Sequence, residues 1–177
     1  MTDQAPSATT NFGMPDQAII DWNAVRDQLT APAPPDAPGG HFPSYLGTVR
    51  PDGRPHTTRV GVRWYDGDLY FLSGPGTRKA RNLAASPVCT FAIRLDELDL
   101  DLILEGEAQP ATDPVVLDAA GALIRQSGWP VERTDGGFTA PFGPLQGDAP
   151  PWTLYRFVFH TAIAQGRPGG TSWRFER

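Results

Sequence analysis

The chain has 177 residues, a formal net charge of −5 and one cysteine. That length is enough for one domain, or one domain with an extension, to bury a core without staples. The acidic balance argues against a broad nucleic-acid surface, the lone Cys89 excludes an internal disulfide, and no stretch is apolar for long enough to span a bilayer.

The N-terminus is polar and lacks the charged-then-apolar pattern of a signal peptide, so a soluble cytoplasmic protein is expected. Residues 1–13 are small and polar and read as disordered. Met14 to Thr30 reads as a helix, with Pro15 in its first turn and Ile19, Trp22, Val25 and Leu29 at helical spacing. The proline-rich run from Ala31 to Gly40 is a linker, so residues 1–40 form an extension ahead of a main domain at 41–177. That first helix is expected to pack outside the main domain or on a partner subunit.

From His41 the pattern turns to strands. Tyr45 to Val49 is a strand, Pro51-Asp52-Gly53 a hairpin turn, and Pro55 to Trp64 the return strand. Leu69 to Ser73 follows, then a short helix from Arg78 to Ala85, then strands at Val88 to Leu95 and Leu98 to Gln109. Asp113-Pro114 opens another helix by cap and first-turn proline. Ser127 to Pro151 lacks a sustained period and reads as one long loop. Trp152 to Ala164 is a strand, and Thr171 to Phe175 a short closing one. Close spacing and hairpin turns predict a mainly β fold, an antiparallel barrel with flanking helices.

The stretch from Ser73 to Leu83 holds the chemistry. Gly74-Pro75-Gly76 makes a tight connection, and Thr77 sits where a helix N-cap belongs. Such a helix end suits an anion, phosphate above all, and Arg78, Lys79 (the only lysine) and Arg81 add charge. The same residues also read as a capped helix with solvated cations. Elsewhere the signals are weak. His41, His56 and His160 lack metal-ligand spacing, and His56 reads as a hairpin-edge residue more readily than as one at the mouth of a site. Cys89, in an apolar run, reads as a buried structural thiol. Asp99, Asp101, Glu105 and Glu107 alternate along one strand and read as a solvated face more readily than as acid–base groups. No catalytic residue stands out.

Several pieces then fall in a telling order: Gly47-Thr48-Val49-Arg50-Pro51-Asp52-Gly53-Arg54-Pro55-His56, Asp68-Leu69-Tyr70-Phe71, Gly76-Thr77-Arg78-Lys79-Ala80-Arg81-Asn82-Leu83-Ala84, Leu104-Glu105-Gly106-Glu107-Ala108 and Thr171-Ser172-Trp173-Arg174-Phe175. Together, over about residues 41 to 175, they resemble the pyridoxamine 5′-phosphate oxidase-like family of FMN-binding split β-barrels. The resemblance implies a homodimer with the flavin in the cleft between subunits. It implies that Thr77, Arg78, Lys79 and the strand residue Arg59 bind the flavin phosphate. It also implies that Val60, Gly61 and Val62 run along the isoalloxazine ring, that Ser73 lies near ring and ribityl chain, and that Trp173 belongs to a stretch closing the site, from either subunit. The implied function is FMN-dependent oxidation or reduction of a small molecule, without metal, nucleic acid or membrane. The same family implies two alternatives, an F420-dependent reductase and a non-catalytic flavin- or haem-binding protein. A pyridoxamine phosphate oxidase proper grips its substrate with a C-terminal arginine-and-histidine motif. This chain ends Trp173-Arg174-Phe175-Glu176-Arg177 without that histidine, which argues against vitamin B6 as substrate.

Overall fold

The computed structural model describes residues 5–31, 42, 44–143 and 149–176. His41 and most of the proline-rich linker lie outside the described residues, as do residues 144–148 of the expected long loop.

The predicted antiparallel architecture is present. After the edge strand β1 (Ala8–Asn11) and helix α1 (Trp22–Thr30) come β2 (Ser44–Val49), β3 (Pro55–Arg59), β4 (Arg63–Tyr65) and β5 (Asp68–Ser73). Helix α2 (Arg78–Ala85) leads to β6 (Val88–Leu95) and β7 (Leu100–Pro110). Helix α3 (Pro114–Gln126), the small hairpin β8 (Glu132–Thr134) and β9 (Gly137–Thr139), and the long β10 (Thr153–Gly166) and β11 (Gly169–Arg174) complete the chain. Among the described residues one sheet runs β1-β11-β10-β7-β6-β2-β3, and β5, carrying β4, adds to β10.

Strand β10 is the spine. One side pairs with β7 along its length, with a register shift between Phe159 and Thr161. The other side is shared: Thr153 to Phe157 pair with β5, and Thr161 to Gly166 pair with β11. Alternation along these strands sends one set of side chains inward. Leu46, Phe71, Phe91, Leu102, Leu104, Phe157 and Phe159 meet there in the main core. A second cluster, with Tyr70, Ile124, Phe138, Trp152 and Leu154, lies between α3, the β8–β9 hairpin and the outer face of β5 and β10. At Gly106 of β7 a Cβ would sit 2.1 Å from the Val158 carbonyl oxygen, so only glycine lets β7 and β10 approach there.

Four expectations are corrected. Residues 8–11 are not disordered: they pair with Thr171 to Arg174 as β1. Their polar side chains carry no burial pattern, because the strand is held by its backbone at a sheet edge. The first helix begins at Trp22, capped by Asp21, and Ile19 is exposed. In this chain it packs into the domain, where Trp22, Val25 and Leu29 belong to the main core. The Trp22 ring lies 4.8 Å from Phe175 and 5.4 Å from Trp173 between centroids. The return strand from Pro55 to Trp64 breaks at Val60–Val62 into β3, which pairs with β2, and β4, which pairs with β5. The stretch 127–151 contains the β8–β9 hairpin, anchored when Phe138 and Trp152 exchange backbone hydrogen bonds of 2.8 and 2.7 Å.

Candidate functional site

Helix α2 starts as its sequence predicts. Thr77 is the N-cap: its hydroxyl accepts from the Ala80 N–H at 3.2 Å and lies 2.8 Å from the Ser73 hydroxyl. Ser73, at the end of β5, is fully buried, so this contact ties the strand to the helix start. Arg81 folds back and donates to the Gly76 carbonyl at 2.8 Å, which fixes the Gly74–Gly76 turn and holds the Arg81 side chain beside the helix start. Arg78 and Lys79 remain on the first turn.

The register of the β2–β3 hairpin brings further cations to this turn. Thr48 pairs with His56 across the hairpin, and both lie on the face that α2 covers. The buried Asn82 of α2 donates to the Thr48 hydroxyl at 2.9 Å, clamping the helix on the hairpin. Arg50, just past β2, Arg78 and Lys79 are near enough for their charges to act on the His56 imidazole. Burial and these three cations hold the His56 pKa below its usual value. His56 Nδ1 and Arg50 Nε are shut off from water and have no hydrogen-bond partner among the described residues. Sequence reading ranked a site position for His56 second and gave Arg50 no role of its own, because a register on paper does not show which helix covers which strand face.

The other candidates are placed as follows. Arg59 ends β3 on the opposite face from His56, exposed and opposite Tyr45. Along the break between β3 and β4, Val60 and Val62 point into the core while Gly61 is exposed. Val60 is pinned there: its N–H donates to the Ser44 carbonyl at 3.1 Å, and the Ser44 hydroxyl donates to the Val60 carbonyl at 2.5 Å. Trp173 is not brought to the α2 corner. It is 1% exposed, packed on Trp22, and pairs with Ala162, whereas Ser73 pairs with Thr153, roughly 30 Å earlier along the same strand.

Other titratable groups among the described residues are buried or ion-paired in their own surroundings. The Cys89 thiol is buried and pushed up to about 12. Asp99 pairs with Arg94 and with Arg167, the latter at 3.1 Å, and Arg94 holds its carboxyl below the usual range. Among the described residues no cluster of histidine, cysteine and acid could hold a metal ion, and no helix is long and apolar enough to cross a membrane.

Comparison with known proteins bears on this arrangement. The family model for pyridoxamine 5′-phosphate oxidase matches residues 40–141, which include the hairpin, the Val60–Val62 break and α2. No curated protein matches the chain. Among solved structures, a conserved hypothetical protein from Mycobacterium tuberculosis aligns with TM-score 0.56 and 20% identity over 91% of this chain and 88% of that one. HupZ from Group A Streptococcus aligns with TM-score 0.54 and 12% identity over 85% of this chain and 98% of that one. An F420 reductase aligns with TM-score 0.50 and 17% identity over 71% of this chain and 91% of that one. At these identities the likeness is one of fold, the split β-barrel.

Proposed function

The chain belongs to the pyridoxamine 5′-phosphate oxidase family, and on that premise we propose that it is an FMN-dependent oxidoreductase acting on a small molecule, with the cofactor held between two copies of the chain. The observation that carries this reading is the clamp of Asn82 on Thr48, which sets α2, with Arg78 and Lys79 in its first turn, over the hairpin face that carries His56. Arg50 Nε and His56 Nδ1, sealed from water without a partner among the described residues, are costly until a ligand joins them. The terminal phosphate of FMN fits that demand. The free N–H groups of the α2 first turn, the Arg78 fork and the Lys79 ammonium would hold it. Ser73 would fix the turn through Thr77, whereas Arg59 lies on the opposite face of the hairpin, away from this corner.

FMN, when bound, accepts and returns a hydride, which asks no side chain to act as acid or base. The task left to the chain is to bind, orient and keep out water. Val60 and Val62 anchor their segment in the core, leaving the Gly61 backbone bare for a flat ring. The homodimer is supported by the outer face of β2 and β6, where Tyr45, Val49 and Val88 are 48%, 41% and 53% exposed.

The test is an absorption spectrum of the purified protein, with the released cofactor identified by mass. A flavin spectrum and the FMN mass are expected. The double variant R78A/K79A should lose the cofactor with unchanged circular dichroism. A protein that binds F420 and not FMN, or neither, overturns the reading.

A further inference from the structure

We propose that the cleft beneath Arg63 is a binding site for a small carboxylic acid with an apolar body. The cleft measures about 320 Å³ and lies where the C-terminal ends of α1 and α3 meet β4. That volume falls in the range of small-molecule sites. Its apolar walls come from Leu29, Phe42, Val62, Trp64, Leu69 and Leu123.

Among the described residues the charge in this cleft has no counter-charge. Arg63 Nη1 donates to the Val62 carbonyl at 2.8 Å, and Nη2 donates to the Ser127 hydroxyl. Ser127 is itself committed, donating to the Ile124 carbonyl at 2.7 Å. Arg63 Nε is sealed from water without a partner. A guanidinium carries more donors than these two neutral acceptors satisfy. Among the described residues no carboxylate reaches it, whereas Arg94, Arg133 and Arg156 each pair with an aspartate. Burial lowers the Arg63 pKa, yet an arginine stays protonated in proteins. The C-terminal end of α3 offers only a partial negative charge, about half a unit. The arrangement therefore lacks one full anion, and the planar fork suits a carboxylate held by two hydrogen bonds. The apolar walls select what the carboxylate is attached to. The site uses none of the residues gathered at the α2 corner, so it stands with or without a flavin there.

The experiment is isothermal titration of the full chain, with and without FMN, using benzoate, phenylacetate and 4-methylpentanoate, each beside its neutral amide. At least one acid is expected to bind, with its amide roughly tenfold to a hundredfold weaker. Arg63→Gln should bring the acid down to the level of the amide, and Arg63→Lys should restore part of the difference. Equal binding of acid and amide by the wild type, or binding of none of the acids, overturns the proposal. If circular dichroism shows that Arg63→Gln does not fold, the acid-to-amide ratio of the wild type decides alone. FMN uptake is read by absorbance in the same samples. Acid binding without FMN uptake keeps this site and ends the flavin reading, and FMN uptake without acid preference does the reverse.

Discussion

Asp68 is 1% exposed and lies 2.5 and 2.6 Å from the Arg156 guanidinium. Removing the cation takes charge-assisted hydrogen bonds from a buried carboxylate, so Arg156→Leu should cost about 2 kcal/mol in urea unfolding. His56 makes a subtler prediction. Its folded pKa lies below the unfolded 6.5 because burial and three cations penalise the imidazolium. As pH falls through 6.5 the unfolded chain takes up a proton first. Stability should therefore drop from about that pH downwards and level off below the folded pKa. Urea midpoints measured between neutral pH and pH 5 should fall less steeply in His56→Gln than in the wild type. An anion at the corner should raise the folded pKa, so added inorganic phosphate should shrink the difference. Of this chemistry, Thr77, Arg78 and Lys79 were legible because cap and charges are neighbours in sequence. Arg50 and His56 were not, since they come together only through the register of a hairpin and the helix laid over it.

Helices and strands were legible where their signal is local. Thr77 and Asp113 mark α2 and α3 by caps whose side chains accept from Ala80 and Val115. Thr77→Ala should cost about 1 kcal/mol of stability, read by thermal or urea unfolding. Strand β6 was equally plain, because Cys89, Phe91, Ile93 and Leu95 alternate with exposed or half-buried positions. The elements that escaped are those whose reason lies elsewhere in the chain. Ala8–Asn11 has no apolar face and becomes a strand only because β11 offers a free ladder. The β8–β9 hairpin hides among glycines and prolines and is fixed by Phe138 and Trp152. Deleting residues 1–13 should uncover the β11 edge. The expected result is a lower melting temperature and faster aggregation, read by light scattering during heating.

For the molecule as a whole, the outer face of β2 and β6 is where assembly should show. Val88→Glu places a charge on an exposed position opposite Glu107, and with Tyr45→Glu it should turn a dimer into a monomer in sedimentation. A wild-type monomer would remove the shared cleft from the proposed function. The spine of the barrel has a different consequence, one for the chain as it is made. Strand β10 begins only at Thr153, yet β5 and β7, made earlier, both wait for it. A ribosome must deliver more than 150 of the 177 residues before these edges can be sealed. Until then β5 and β7 each present a naked ladder, and the aromatic interior stands open. Barrel closure is thus a late, single event in synthesis, and products of premature termination upstream of Thr153 should collect on chaperones or in the insoluble fraction.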